Sequence, residues 1–173
     1  MQSIVTTTVE SPIGELLLGA TENGVCLLEF VDRRALPTEI KHLAKAIGPL
    51  VPGCNAHLGQ MGDQLGRYFD GALTEFTTPL DIVRGTSFQR QVWDGLLGIP
   101  FGETMSYGQL AEAVGRSGAQ RAVGTANGAN CIAIVIPCHR VVQSNGKLGG
   151  YGGSLWRKQF LLDHEAAVSG GSS

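Results

Sequence analysis

What the sequence lacks narrows it first. Charged residues make up only 16% of 173, and fifteen acidic against thirteen basic side chains leave a net charge of −2. With 43% apolar residues, this excludes a disordered chain, which stays unfolded through high net charge and low hydrophobicity. The longest apolar run, Cys131 to Ile136, falls far short of the roughly 20 residues that span a bilayer, so no membrane association is expected. No basic segment opens the chain, whose first Lys or Arg is Arg33, so no secretory signal is expected either. The four cysteines, at 26, 54, 131 and 138, form no C-x-x-C pair and no zinc-type Cys/His spacing, which leaves no metal and no cofactor to predict. Without a signal, disulfides are not expected, and the cytoplasm is the default compartment.

What is present reads as an α+β chain in two parts. Residues 3–9 and 14–20 are β-rich and separated by Ser11-Pro12, and Asn23-Gly24 is a hairpin signal before Val25 to Val31. Pro37 suits a helix start, with Ile40, Leu43, Ala44 and Ile47 at helical spacing and Gly48-Pro49 as the stop. Leu58, Met61, Leu65, Tyr68 and Phe69 form a second apolar stripe, ended near Gly71. Residues 1–81 are therefore expected to be a small amino-terminal domain with an antiparallel sheet and helices. Residues 82–168 are expected to be a mostly helical domain with short strands. Thr86 or Ser87 can cap a helix carrying Phe88, Val92, Trp93 and Leu96. Ser106 caps a short helix with Tyr107, Leu110 and Ala111, and Gly115 to Gly118 turns the chain into another over Ala119 to Asn127, which is helix-turn-helix spacing. Cys131 to Ile136 reads as a buried strand, a glycine-rich loop leads to a closing helix, and residues 169–173 read as a disordered tail.

Charge is unevenly spread. Residues 1–86 carry six basic and ten acidic side chains, whereas residues 87–173 carry seven and five. Between Glu112 and Asp163 there is no acidic residue, while Arg116, Arg121, Arg140, Lys147, Arg157 and Lys158 give +6. Such a stretch is an electrostatic footprint for phosphates, even on a chain that is acidic overall.

Of the four cysteines, Cys26 and Cys131 sit in apolar runs and read as buried small hydrophobes. Cys138 follows a proline at the end of an apolar run and precedes His139 and Arg140. A nearby His or Arg favours the thiolate, and His139 is the natural base. The carboxylate that would orient it must come from elsewhere, with Glu165 first and Asp163 second. His164 reads as a cap at the end of the closing helix, and His42 and His57 as surface or half-buried.

The string IPCHRVV at 136–142 resembles the active-site signature of the O6-alkylguanine-DNA alkyltransferases. FQRQVW at 88–93, IPFGETMSYGQLA at 99–111, AQRAVGTANGAN at 119–130 and GGYGGSLWRKQFLLDHE at 149–165 fit that family in order and spacing, and SPIGELLLG at 11–19 resembles its amino-terminal, RNase H-like domain. The resemblance implies a direct-reversal DNA repair protein, a monomer acting on double-stranded DNA that contains O6-alkylguanine. Cys138 would take the alkyl group and keep it, His139 would deprotonate Cys138 through a water, and Glu165 would hold His139. Asn130 would brace the active-site loop, Tyr107 would protonate the leaving guanine, and Lys158 would support that step. Arg121 would fill the gap left by a flipped nucleotide, while Tyr151, Gly152 and Gly153 would line the base pocket and the backbone of Cys138 and Val141 would read the base. Ser106, Ala119, Gln120, Ala122, Gly124 and Asn127 would complete the DNA-facing surface. The second helix would enter the minor groove, its small residues suiting close packing rather than base-specific bonds.

The sequence departs from the family pattern in places. Cys131 stands where proline is common, Gly152 stands where a small hydroxylated or methylated residue is common, and Ala20 and Val25 occupy positions that ligate zinc in some relatives, so no zinc site is expected. Two other readings compete. A non-catalytic binder of alkylated DNA would lack the acceptor that Cys138 supplies. A cysteine hydrolase would turn over repeatedly and would not account for the acid-free stretch.

Overall fold

A computed structural model describes residues 2–170. It separates into two compact units, Met1–Arg84 and Gly85–Ser173. The α+β architecture expected from the sequence is the one found.

The first unit is built on a four-stranded sheet in the order β3-β2-β1-β4, from β1 (Ile4–Val9), β2 (Leu16–Ala20), β3 (Val25–Phe30) and β4 (Leu50–Pro52). The first three strands pair antiparallel, while β4 runs parallel to β1, with Ile4 opposite Leu50. That fourth strand was not expected, because Gly48-Pro49 and Pro52-Gly53 bracket it and mask a three-residue run. Proline is tolerated there because an edge strand leaves its outer face unpaired. Two helices complete the unit. In α1 (Leu36–Ala46) Pro37 stands in the first turn, as expected, and α2 (Ala56–Phe69) is capped by Asn55, whose side chain accepts from Leu58 N. The core is Ile4, Leu16, Leu18, Leu27, Leu28, Phe30, Met61 and Tyr68, all fully buried. Buried among them, Glu29 is pushed up to about 8 by burial and by Glu39, with Arg33 acting against both.

The second unit packs helices around one buried turn. Helix α3 (Ser87–Leu97) opens on a capping box in which Thr86, rather than Ser87, is the cap and Gln89 returns the bond. Its Trp93 donates Nε1–H to Ala126 O at 2.9 Å, which ties α3 to α5 (Gln120–Gly128). Gly95 lets α3 approach α4 (Tyr107–Ala113): a Cβ there would lie 3.0 Å from Val114 Cγ1 and 3.1 Å from Leu110 Cδ1. Ser106 caps α4 with its own capping box, and Gly115 and Gly118, both at positive φ, make the turn into α5. Strand β5 (Met105–Ser106) pairs in parallel with β6 (Val141–Val142), and α6 (Leu155–Gly170) closes the unit.

Three expectations fail here. Cys131 to Ile136 is not a strand but a buried turn with Ile134 at φ +72°. An apolar run is equally buried in either form, and periodicity does not separate them. Asn130 decides, since its side chain satisfies the backbone that a neighbouring strand would otherwise satisfy: Oδ1 accepts from Ile132 N at 2.9 Å and Nδ2 donates to Ile136 O at 2.9 Å. A β-branched residue at positive φ costs about 1–3 kcal/mol, which the buried packing around it must offset. His164 does not cap a helix end; it lies within α6 and stacks on Phe160 at 6.1 Å. Helix α6 also runs through Ser169 and Gly170, the first two residues of the expected tail, and the remaining three lie outside the described residues.

Candidate active site

The buried turn ends in a 3₁₀ turn, Cys138–Arg140, on which α3 and α6 pack. Every residue from Cys131 to Arg140 is buried, and Cys138 is 7% exposed. Asn130 Nδ2 lies 3.2 Å from Cys138 Sγ, and a donor aimed at sulfur favours the charged thiolate over the thiol. The Cys138 carbonyl accepts from Asn127 Nδ2 at 3.4 Å.

His139 is fully buried. Its Nε2 lies 2.7 Å from Glu165 Oε2, delivered by α6, while its Nδ1 is buried without a hydrogen bond to protein. Burial pushes the imidazole below its usual pKa; Glu165 pulls it up, and the charges of Arg140 and Lys158 push it down. His139 is therefore neutral at neutral pH, with its proton on Nε2. Burial alone would raise Glu165, but hydrogen bonds and charge from His139 and Arg140 prevail and hold it well below the usual carboxylate range. Since His139 is neutral, the Arg140 guanidinium is the permanent charge that keeps Glu165 ionised. Asp163, the second candidate for this place, is exposed and accepts instead from Gln159.

Lys158 is fully buried, donating Nζ to Val141 O at 2.6 Å and to Gly150 O at 3.1 Å, and burial pushes its pKa down to about 8. It pins the glycine-rich loop to the strand that follows the 3₁₀ turn. Tyr107 is half-buried at the start of α4, and burial, with the nearby Cys138, raises its pKa, so it holds its proton. Gly149, at φ +72°, gives the phenol its clearance: a Cβ there would lie 3.0 Å from the Tyr107 hydroxyl oxygen.

Beside these groups opens a cavity of about 470 Å³ lined by Tyr107, Gln120, Arg121, Gly124, Gln143, Gly149 and Gly150. Ala119 is the N-cap of α5, and Gln120, Arg121 and Ala122 are exposed together at the helix start. Tyr151 is half-buried and Gly152 exposed, both outside the wall of this cavity, and Gly153 is buried under Arg157, which donates to its carbonyl at 3.1 Å.

Two sequence expectations change. Asn127 does not face outward from α5: it is 5% exposed and donates to the Cys138 carbonyl, so it holds the 3₁₀ turn. The +6 stretch is not all surface. Arg140, Arg157 and Lys158 are buried, leaving Arg116, Arg121 and Lys147 exposed. Half of that charge is therefore spent inside the unit. The reading from sequence also missed Gln143 in the cavity wall, and Arg140, which holds both oxygens of Glu165. A signal for Arg140 did exist: a buried arginine needs an anion, and none precedes Asp163 in its own stretch.

Among the described residues no cluster of His, Cys, Asp and Glu could hold a metal ion, and no helix is long and apolar enough to cross a membrane.

Comparison with known proteins gives one consistent result. Residues 4–82 match the ribonuclease-like domain, and residues 87–167 the DNA-binding domain, of 6-O-methylguanine DNA methyltransferase. A methylated-DNA–protein-cysteine methyltransferase of Mycolicibacterium paratuberculosis is 50% identical over 155 residues, covering 90% of this chain and 88% of its own. The crystal structure of Mycobacterium tuberculosis OGT in complex with DNA is 43% identical, with a TM-score of 0.82 over 96% of this chain and 94% of that one. The O6-methylguanine-DNA methyltransferase of Pyrococcus kodakaraensis is 29% identical, with a TM-score of 0.66 over 95% and 99%.

Proposed function

Since the chain belongs to the 6-O-methylguanine DNA methyltransferase family, we propose that its direct-reversal DNA repair runs through Cys138, which takes the alkyl group from O6-alkylguanine in duplex DNA and keeps it. The observation that carries this assignment is the buried Glu165–His139 pair on the 3₁₀ turn that bears Cys138, with Asn130 Nδ2 aimed at the sulfur. Glu165 occupies Nε2, so Nδ1 of His139 is the nitrogen that takes the thiol proton, through a water. The thiolate displaces guanine from the alkyl carbon: the C–S bond forms as the C–O bond breaks. Guanine leaves as an anion unless it is protonated, and Tyr107, which holds its proton at neutral pH, is the acid. Lys158 keeps the loop over the base in place through Val141 and Gly150. The thioether product has no activated leaving group, so one molecule acts once.

The target oxygen is hidden in a duplex, so the nucleotide must leave the stack, at a cost of a few kcal/mol. Arg121, exposed at the start of α5 and in the cavity wall, fills the gap. The exposed small residues around it suit the minor groove, and the four cysteines, each a thiol and not half of a disulfide, fit a reducing cytoplasm, where the protein acts as a monomer.

The assignment is tested by intact mass after incubation with duplex DNA carrying O6-methylguanine. One equivalent of methylene mass is expected, mapped to the peptide that contains Cys138. Binding without an adduct would make the protein a non-catalytic reader of alkylated DNA, and more than one product per protein would make it a turnover enzyme. Arg121→Ala separates flipping from chemistry. Repair of duplex DNA is expected to slow by about tenfold to a hundredfold, in keeping with a lost wedge worth a few kcal/mol, while reaction with free O6-alkylguanine is unchanged. Equal losses on both substrates would remove the wedge role.

A further inference from the structure

Arg140 has no part in the alkyl transfer just described, yet it is buried and bonded at all three of its nitrogens. It is 7% exposed, and each of its three nitrogens donates: Nε to Glu165 Oε1 at 2.7 Å, Nη2 to Glu165 Oε2 at 3.1 Å and Nη1 to Ile99 O at 2.7 Å. Its guanidinium lies over the Phe101 ring, 5.6 Å from the centroid. The planar fork fixes both the plane and the position of the carboxylate, which a lysine ammonium could not do. Glu165 Oε2 is then shared, taking Nη2–H from Arg140 and Nε2–H from His139.

The geometry points to Arg140 as a positioning residue of the alkyl-transfer reaction, one that locks the Glu165 carboxylate so that His139 carries its proton on Nε2 and turns Nδ1 toward its role as base. The inference rests on the reading of Cys138 and His139 as nucleophile and base. Two effects follow from one side chain. A carboxylate held by a fork can only accept, which excludes the other imidazole tautomer. A carboxylate whose charge is already matched by guanidinium attracts a second cation weakly, so His139 is not trapped as imidazolium, the form that could not take the thiol proton.

The charged neighbours of His139 agree with this. Glu165 and Lys158 reach it from α6 and Arg140 from its own turn; burial first, then the Arg140 and Lys158 charges, lower its pKa, against the pull of Glu165. Helix α3, which also packs on the turn, buries Val92, Trp93 and Leu96 and keeps Arg90 and Asp94 exposed. Glu103, on the connection that carries Phe101, is exposed as well.

The test is the pH dependence of single-turnover methyl transfer at saturating duplex DNA, from about pH 5 to pH 9, for the wild type, Arg140→Gln and Arg140→Lys. In Arg140→Gln the matching charge is gone and Glu165 is left to His139 alone, so the acid limb is expected to move to higher pH by about one unit. Arg140→Lys keeps the charge and loses the fork, so its limb is expected near that of the wild type, with a plateau rate about tenfold lower. Equal losses at every pH in both variants, with the limb unmoved, would show Arg140 to be only a strut between α6 and the Ile99–Phe101 connection. Should either variant fail to fold, nitrogen NMR of His139 in the wild type decides: a proton on Nε2 is expected, and one on Nδ1 overturns the proposal. A wild type that leaves Cys138 unmodified would refute the reading of the nucleophile instead, and the NMR result would still report on Arg140.

Discussion

Cys138→Ser is expected to abolish alkyl transfer while leaving the fold and DNA binding intact. The substitution exchanges sulfur for oxygen in a buried place where the side chain fills almost the same volume, and Asn130 Nδ2, now 3.2 Å from Sγ, can donate to a hydroxyl as readily. The loss in stability should stay within about 1 kcal/mol, the range of small substitutions that keep their hydrogen bond. The chemistry does not survive. A cysteine presents a few per cent of thiolate at neutral pH even when unassisted, and the thiolate is intrinsically a strong nucleophile. A serine hydroxyl stays protonated there, and neutral His139 is too weak a base to ionise it. A loss of more than about 10⁴-fold, or about 5 kcal/mol in the barrier, is expected. Intact mass should show no adduct, while duplex affinity stays within about twofold, since Arg116, Arg121 and Lys147 remain exposed for phosphate. An adduct that persists at Cys26, Cys54 or Cys131 would move the acceptor elsewhere; Cys26 and Cys131 are buried and Cys54, though exposed, has its thiol 3.5 Å from the Asn55 carbonyl.

The contrast among those cysteines bears on what a sequence can reveal. Cys138 stands apart in the sequence because its neighbours carry chemistry: a proline before it and a histidine and an arginine after it are a local pattern. Glu165 was legible by scarcity, since an acid-free stretch leaves few carboxylates to pair with. The helices were legible from their caps, Thr86 with Gln89 and Ser106 with Gln109, because capping is a contact between residues three apart. The turn at Cys131 to Ile136 was not, because its conformation is set by hydrogen bonds from Asn130, and hydropathy carries no record of them. Asn127 was misread for a related reason. Its place near the end of a small-residue helix says nothing about which side of that helix meets the Cys138 turn. The +6 stretch misled in its size, because composition counts charges whether or not they are buried. Arg140, Arg157 and Lys158 bind carbonyls and a carboxylate inside the unit, and what they supply is order around the site rather than a field outside it.

Glu165 is where that internal order concentrates, and Glu165→Gln should show it in both stability and rate. The carboxylate is 1% exposed and accepts from three donors: His139 Nε2, Arg140 Nε and Arg140 Nη2. An amide of the same shape offers one oxygen and one NH₂, so at least one of those donors must face another donor. The Arg140 guanidinium is left buried without its counter-charge, and breaking a buried pair from one side costs about 3–5 kcal/mol. The unfolding temperature should fall by on the order of 10 °C. Methyl transfer should fall by about 10² to 10⁴-fold, since the base loses both its orientation and the charge that steadies it once protonated. The pH dependence carries the sign. Because the folded carboxyl sits well below its unfolded value, its contribution is fully present above about pH 4.3 and drains away as the pH falls through the folded value. The stability gap between wild type and Glu165→Gln should therefore be constant from neutral pH down to about 5 and narrow in stronger acid. Thermal unfolding followed across that range measures it. A gap that stays the same at every pH would mean that shape, and not the ionised carboxylate, is what Glu165 contributes.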